Sequence, residues 1–198
     1  MYWYEEDVKE LEKRSRQLPY EPETLFYGSS SIRLWENLYT DFADLKPVNL
    51  GFGGSTLAAC VWFFKRIMLT YNPKRMVVYA GDNDLGDGRT PEEVYIFFRQ
   101  LMVEVSSRFG NIPCYYISLK PSINRRNIID RFKYTNNLIE TEIVKSGNNW
   151  HFINIFSHMV DAGDHPKGKY FVNDGLHLSK EGYELWKQVV SDHLKVHH

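Results

Sequence analysis

Five short apolar runs, each followed by a stretch of helical periodicity, constrain this chain more than anything else in it. The runs are 24–28, 48–50, 76–80, 114–119 and 151–156. Met76-Val77-Val78-Tyr79-Ala80 is apolar at every position, the pattern of a strand buried on both faces. Strand and helix in alternation, five times over, predict a parallel sheet with helices on both faces.

The helical segments carry their own start and stop signals. Residues 5–17 place Tyr4, Val8 and Leu11 on one face and allow Glu5 to pair with Lys9. This helix precedes the first strand and is expected on the outside. Residues 32–43 read as partly helical. Ser55 is expected to cap a helix running to about Tyr71, where Asn72-Pro73 ends it. Thr90-Pro91-Glu92-Glu93 supplies a cap, a proline at the first helical position and a capping-box glutamate, for a helix ending near Gly110. A long helix follows over 127–146 with Gly147 as its stop, and Ser179 caps a last one reaching about His193. With no internal repeat, low-complexity segment or linker, residues 1–198 are expected to form one domain, with 1–20 as an N-terminal helical extension.

Composition narrows the function classes. A net charge of -1 with no long basic or acidic run gives nothing to favour nucleic acid or an anionic membrane. Met1 to Asp7 is acidic and unlike a signal peptide, and no run is long enough to span a bilayer, so a cytoplasmic location is expected. The 13 Tyr, 12 Phe and 5 Trp imply a well-filled aromatic core, and core packing is expected for Trp35 and Trp62. Cys60 and Cys114 read as small core residues, with neither a metal pair nor a disulfide framework in view.

The polar residues gather where the strands end. The exits carry Gly28-Ser29-Ser30-Ser31, Gly53-Gly54, Gly81-Asp82-Asn83-Asp84 and, beyond strand five, Asp174-Gly175-Leu176-His177. In a parallel sheet all four point to one edge, where open α/β sheets keep their chemistry. A serine, an approachable backbone glycine, an amide side chain and an Asp/His pair are the parts of an acyl-transfer site. The imidazole takes the hydroxyl proton, the aspartate fixes the imidazole tautomer, and N–H groups receive the oxyanion. Sequence physics leaves open which of Ser29, Ser30 and Ser31 would attack. The same hydroxyl-rich loop could instead hold a phosphate on backbone N–H groups at a helix start.

These four blocks, in this order, resemble the SGNH or GDSL hydrolases over residues 24 to about 190. The resemblance implies a three-layer α/β/α, flavodoxin-like sandwich whose five-stranded parallel sheet has the order 2-1-3-4-5. It implies Ser30 as nucleophile with Asp174 and His177, and an oxyanion hole made by the Ser30 backbone N–H, the Gly54 backbone N–H and the Asn83 side chain. One departure is Ser29, where the family usually has Asp; the hydrogen bonding of that carboxylate to the loop is absent here. The general α/β-hydrolase elbow, G-x-S-x-G, is broken by Ser31-Ile32.

What the resemblance implies chemically is a serine esterase or acylhydrolase cleaving short acyl, foremost acetyl, esters of a small or carbohydrate-like alcohol through an acyl-enzyme. It needs no metal and no organic cofactor. The partner expected is a small-molecule ester, with no nucleic acid and no membrane insertion; a homodimer is left open. The competing reading is a flavodoxin-like phosphate- or flavin-binding module without hydrolase activity, which gives Asp174 and His177 no task.

Other polar residues have plainer readings. Ser122, Arg125 and Arg126 follow strand four near the same edge, as a solvated loop or as a clamp for an anionic or sugar-like substrate. Asp82, Asp84 and Asp87 fail the calcium-loop template at Gly86 and Asp87 and read as turn formers, with Asp84 bracing the loop. His158, Asp161, Asp164 and His165 cluster in the late loop as a weak metal motif. His193, His197 and His198 read as an exposed tail.

Overall fold

The computed structural model describes residues 1–196; His197 and His198 lie outside the described residues. In chain order the helices are α1 (Glu5–Lys13), α2 (Ser30–Arg33), α3 (Leu38–Asp41), α4 (Leu57–Ile67), α5 (Asp82–Gly86), α6 (Pro91–Phe109), α7 (Ile129–Ser146), α8 (Phe156–Met159) and α9 (Lys180–Val196). The strands are β1 (Thr24–Gly28), β2 (Pro47–Gly51), β3 (Arg75–Tyr79), β4 (Cys114–Ile117) and β5 (Trp150–Ile153). All pairings are parallel, in the order β2-β1-β3-β4-β5. Gly28 is in register with Gly51 on one side and Tyr79 on the other, so the exits of β1, β2 and β3 lie at one level.

Side chains along each strand alternate between two apolar layers, as a period of two requires. Leu25, Tyr27, Leu50 and Val78 face a core completed by α1, α4, α6 and α7. Phe26, Val77, Tyr79 and Tyr115 face the opposite one, filled by Trp35, Leu38 and, from α9, Trp186 and Val190. The N-terminal segment belongs to the first layer: Tyr4, Val8 and Leu11 are buried as their spacing predicts. Lys9 pairs with Glu6 rather than Glu5, because Glu5 receives a two-pronged contact from Arg66 at 2.9 and 3.0 Å.

Several boundaries move for identifiable reasons. Thr56, not Ser55, caps α4, its Oγ1 accepting from Ala59 N–H at 3.0 Å. The Ser55 hydroxyl donates instead to the Gly28 carbonyl at 3.0 Å. α4 gives way at Met68 to a 3₁₀ turn over Met68–Thr70. Strand β5 stops early because Ser118 Oγ accepts from the N–H groups of Ile155 and Phe156, both at 3.0 Å, and draws the chain off the sheet. The capping box of α6 is formed in both directions between Thr90 and Glu93.

Trp62 is the clearest departure: it is 71% exposed. On α4 the inward stripe is Ala59, Cys60, Phe63, Phe64 and Ile67, which leaves position 62 on the outer face. Trp35 is buried as expected. Both cysteines are free and buried, and burial pushes both thiols up. Among the described residues, no helix is long and apolar enough to cross a membrane.

Candidate active site

Strand β1 delivers the three serines through a glycine that nothing else can replace. Gly28 has φ +143°, and a Cβ there would lie 1.8 Å from the Tyr79 carbonyl oxygen. Ser29 then donates its N–H to that carbonyl at 2.9 Å, while its own carbonyl accepts from Ile32 and Arg33 and so opens α2. Its Oγ is buried with no hydrogen-bond partner among the described residues. Ser31 is 3% exposed, and its carbonyl accepts from the Tyr183 hydroxyl of α9 at 3.0 Å. Of the three serines only Ser30, the first residue of α2, reaches solvent.

The Asp/His pair sits on a tight loop before α9. Asp174 Oδ1 accepts from the N–H groups of Leu176 and His177 at 2.8 and 2.9 Å. Its Oδ2 lies 2.6 Å from His177 Nδ1. Partial burial works to raise the Asp174 carboxyl. The hydrogen bonds from His177 Nδ1 and from the two backbone N–H groups outweigh it together and hold the group down at about 2. With Nδ1 engaged by a carboxylate, Nε2 is the ring nitrogen left for a proton from outside. Val172 N–H to the His177 carbonyl closes the loop, and Asn124 N–H to the Gly175 carbonyl ties it to the exit of β4. Six residues past His177, Tyr183 anchors α9 to the serine turn through Ser31.

The other exits are tied together by hydrogen bonds. Phe52 N–H and Ser55 Oγ both donate to the Gly28 carbonyl, joining the β1 and β2 exits. Asn83, in the first turn of α5, donates from Nδ2 to the Ser55 carbonyl at 3.1 Å, joining the β2 and β3 exits. Gly54 has φ +65° and an open surrounding, with its carbonyl held by the Tyr4 hydroxyl at 2.9 Å. Asp84 is the brace expected of it: buried, it accepts from Leu57 N–H at 2.6 Å and Ala58 N–H at 3.4 Å at the start of α4. Burial pushes its carboxyl up to about 6 against those hydrogen bonds.

The model of the GDSL-like Lipase/Acylhydrolase family matches residues 24–185, which include all four blocks. The chain belongs to this family. Membership brings with it a hydrolase role on esters. Solved structures share its fold throughout. A Streptococcus pneumonia protein provisionally named a platelet activating factor is 18% identical, with 98% of this chain and 95% of that chain covered at a TM-score of 0.83. A GDSL-like lipase from Bacteroides thetaiotaomicron is 19% identical, with 98% of both chains covered at 0.77. A lipase/acylhydrolase from Enterococcus faecalis is 20% identical, with 88% and 96% covered at 0.71. Among curated protein sequences none is a significant match.

Ser122 is buried, and its Oγ accepts from Arg125 N–H at 3.3 Å. Arg125 turns inward onto the Asp82 carbonyl and the Asn83 amide oxygen, each at 2.9 Å. Arg126 is exposed. Asp82 also meets a residue that no block marks, Lys120, whose buried Nζ lies 3.4 Å from Oδ2. Burial lowers the Lys120 ammonium against the attraction of Asp82. The one sequence signal for it is a lone lysine closing an apolar strand. In the late loop, Asp161 pairs with His165 while Asp164 is taken by Lys133 at 2.6 Å. Among the described residues no group of three or more His, Cys, Asp or Glu could hold a metal. His193 is half-buried, its Nδ1 2.9 Å from the Val189 carbonyl oxygen.

A cavity of about 650 Å³ opens beside the pair, lined by Asp174 and His177 together with Leu34, Trp35, Tyr183 and Glu184.

Proposed function

We propose that this chain is a serine esterase that forms an acyl-enzyme on Ser30 and cleaves short acyl esters, foremost acetyl, of a small or carbohydrate-like alcohol. The observation that carries the reading is the Asp174–His177 contact of 2.6 Å on the loop before α9, the helix whose Tyr183 is bonded to the turn where Ser30 alone among three serines is accessible.

In this reading Ser30 Oγ attacks the ester carbonyl carbon as its proton passes to His177 Nε2. Asp174 stays ionised and stabilises the imidazolium. The carbonyl oxygen becomes an oxyanion facing the Ser30 N–H, the Gly54 N–H and the Asn83 amide. Collapse breaks the ester C–O bond, and His177 returns the proton to the departing alcohol. A water, deprotonated by His177, then attacks the acyl-enzyme; the acid leaves and Ser30 regains its proton.

The cavity supports the choice of alcohol. Besides Leu34, Trp35, Val172 and Leu178 it is lined by Glu36, Asn37, Lys180, Glu184 and Lys187, groups suited to hydroxyls rather than to a lipid tail. The flavin- or phosphate-binding alternative leaves Asp174 and His177 without a role, and α2, its anion-facing helix, has four residues. A fluorophosphonate probe, with the modified residue mapped by mass spectrometry, tests the proposal: labelling of Ser30 supports it, and an unlabelled, yellow protein would favour the alternative.

A further inference from the structure

Arg125 holds one fork of its guanidinium on each side of a single turn. Nη1 donates to the Asp82 carbonyl and Nη2 to Asn83 Oδ1, each at 2.9 Å. Asp82 Oδ2 lies 3.5 Å from Nη1 and 3.4 Å from Lys120 Nζ, so a buried carboxylate anchors both cations. Gly86 makes the seat: a Cβ there would lie 2.6 Å from Arg125 Cζ and 2.7 Å from Nε and Nη2. An alanine at 86 would therefore collide with the guanidinium itself.

An asparagine amide has two faces of nearly equal shape and opposite polarity. Turned over, Asn83 would set its NH₂ against the Arg125 N–H and its oxygen against the Ser55 carbonyl oxygen. Both hydrogen bonds would be replaced by clashes of like polarity. As the amide stands, one Nδ2–H is spent on Ser55 and the second is free to point elsewhere. A cation 2.9 Å from Oδ1 also draws electron density from the amide and sharpens its N–H as a donor.

We infer that Arg125 is a positioning residue that locks the Asn83 amide with its N–H toward the developing oxyanion, and that Gly86 is small in order to seat it. The inference rests on the serine-esterase reading above. It also replaces the substrate-clamp expectation for Arg125 with a role that acts through Asn83.

The test is steady-state hydrolysis of p-nitrophenyl acetate by wild type, Asn83→Ala, Arg125→Met, Gly86→Ala and each of the last two combined with Asn83→Ala, with thermal melts alongside. Arg125→Met and Gly86→Ala should each lower kcat by about 10- to 100-fold with KM within a few-fold, less than the loss from Asn83→Ala itself. In the Asn83→Ala background neither should lower kcat further, because the amide they position is gone. Gly86→Ala keeps every charged group and so guards against misfolding in Arg125→Met. A full additional loss in the Asn83→Ala background, a rise confined to KM, or an unchanged kcat would overturn the inference. Wild-type turnover slowed by Asn83→Ala alone would leave the esterase reading standing in that case. No effect of Asn83→Ala would overturn the inference and remove Asn83 from the oxyanion hole, whereas a wild type without turnover would overturn the esterase reading itself.

Discussion

Ser29, Ser30 and Ser31 carry the same hydroxyl, and the backbone sends each to a different place. Ser29 is held inside by its N–H on Tyr79, Ser31 by the Tyr183 hydroxyl on its carbonyl, and Ser30 is left at the surface. A buried hydroxyl without a partner costs free energy, so Ser29→Ala should leave the melting temperature unchanged or higher. A fall of several degrees would mean that the hydroxyl is bonded in solution. Asn83→Ala should lower kcat by roughly 10²–10³ with KM within a few-fold, since a fixed donor gains strength only as the carbonyl oxygen becomes an anion. Circular dichroism should show an intact fold, because Asn83 sits at a strand exit. An unchanged kcat would reduce the β3 exit to a turn. At this scale the four blocks were readable, but the choice of Ser30 needed the family resemblance. The contacts of Arg125 and Lys120 were not readable: their partners Asn83 and Asp82 lie roughly 40 positions away, and only folding brings them together.

The five strands and the long helices followed from apolar period, the short helices α5 and α8 did not, and the other errors lie where one element is settled by another. Ser55 and Thr56 are both good caps, and what chooses Thr56 is the Gly28 carbonyl of a different strand. Trp62 follows the helical phase of α4, which a count of aromatic residues does not resolve. The joint between α5 and α4 gives a prediction of its own. Burial raises the Asp84 carboxyl from 3.8 to about 6, so the fold favours its protonated form. Its stabilising contribution is complete below about pH 4 and is lost as pH rises through about 6. Asp84→Asn cannot ionise. The stability of wild type relative to this variant should therefore fall between pH 4 and pH 7, by about 2–3 kcal/mol for a shift of some two units. Urea unfolding at several pH values measures it, and a difference constant across that window would contradict it.

Across the whole molecule, the order β2-β1-β3-β4-β5 puts the exits of β2, β1 and β3 side by side at one edge. That order came from the resemblance, because five apolar runs of similar character carry no mark of which neighbours which. The architecture also bears on substrate size. Among the described residues no apolar insertion stands between the strand exits, and the cavity beside His177 has charged groups in its lining. Acetyl esters should therefore be cleaved with higher kcat/KM than octanoyl esters; a series rising steadily with acyl length would contradict this. The central claim is that Ser30 is the nucleophile, and Ser30→Ala tests it most directly. In the variant, hydrolysis of a short-chain aryl ester should fall by on the order of 10⁶ in kcat, with loss of fluorophosphonate labelling and an unchanged melt. A Ser30→Ala protein that still turned over ester and still took the label would contradict it.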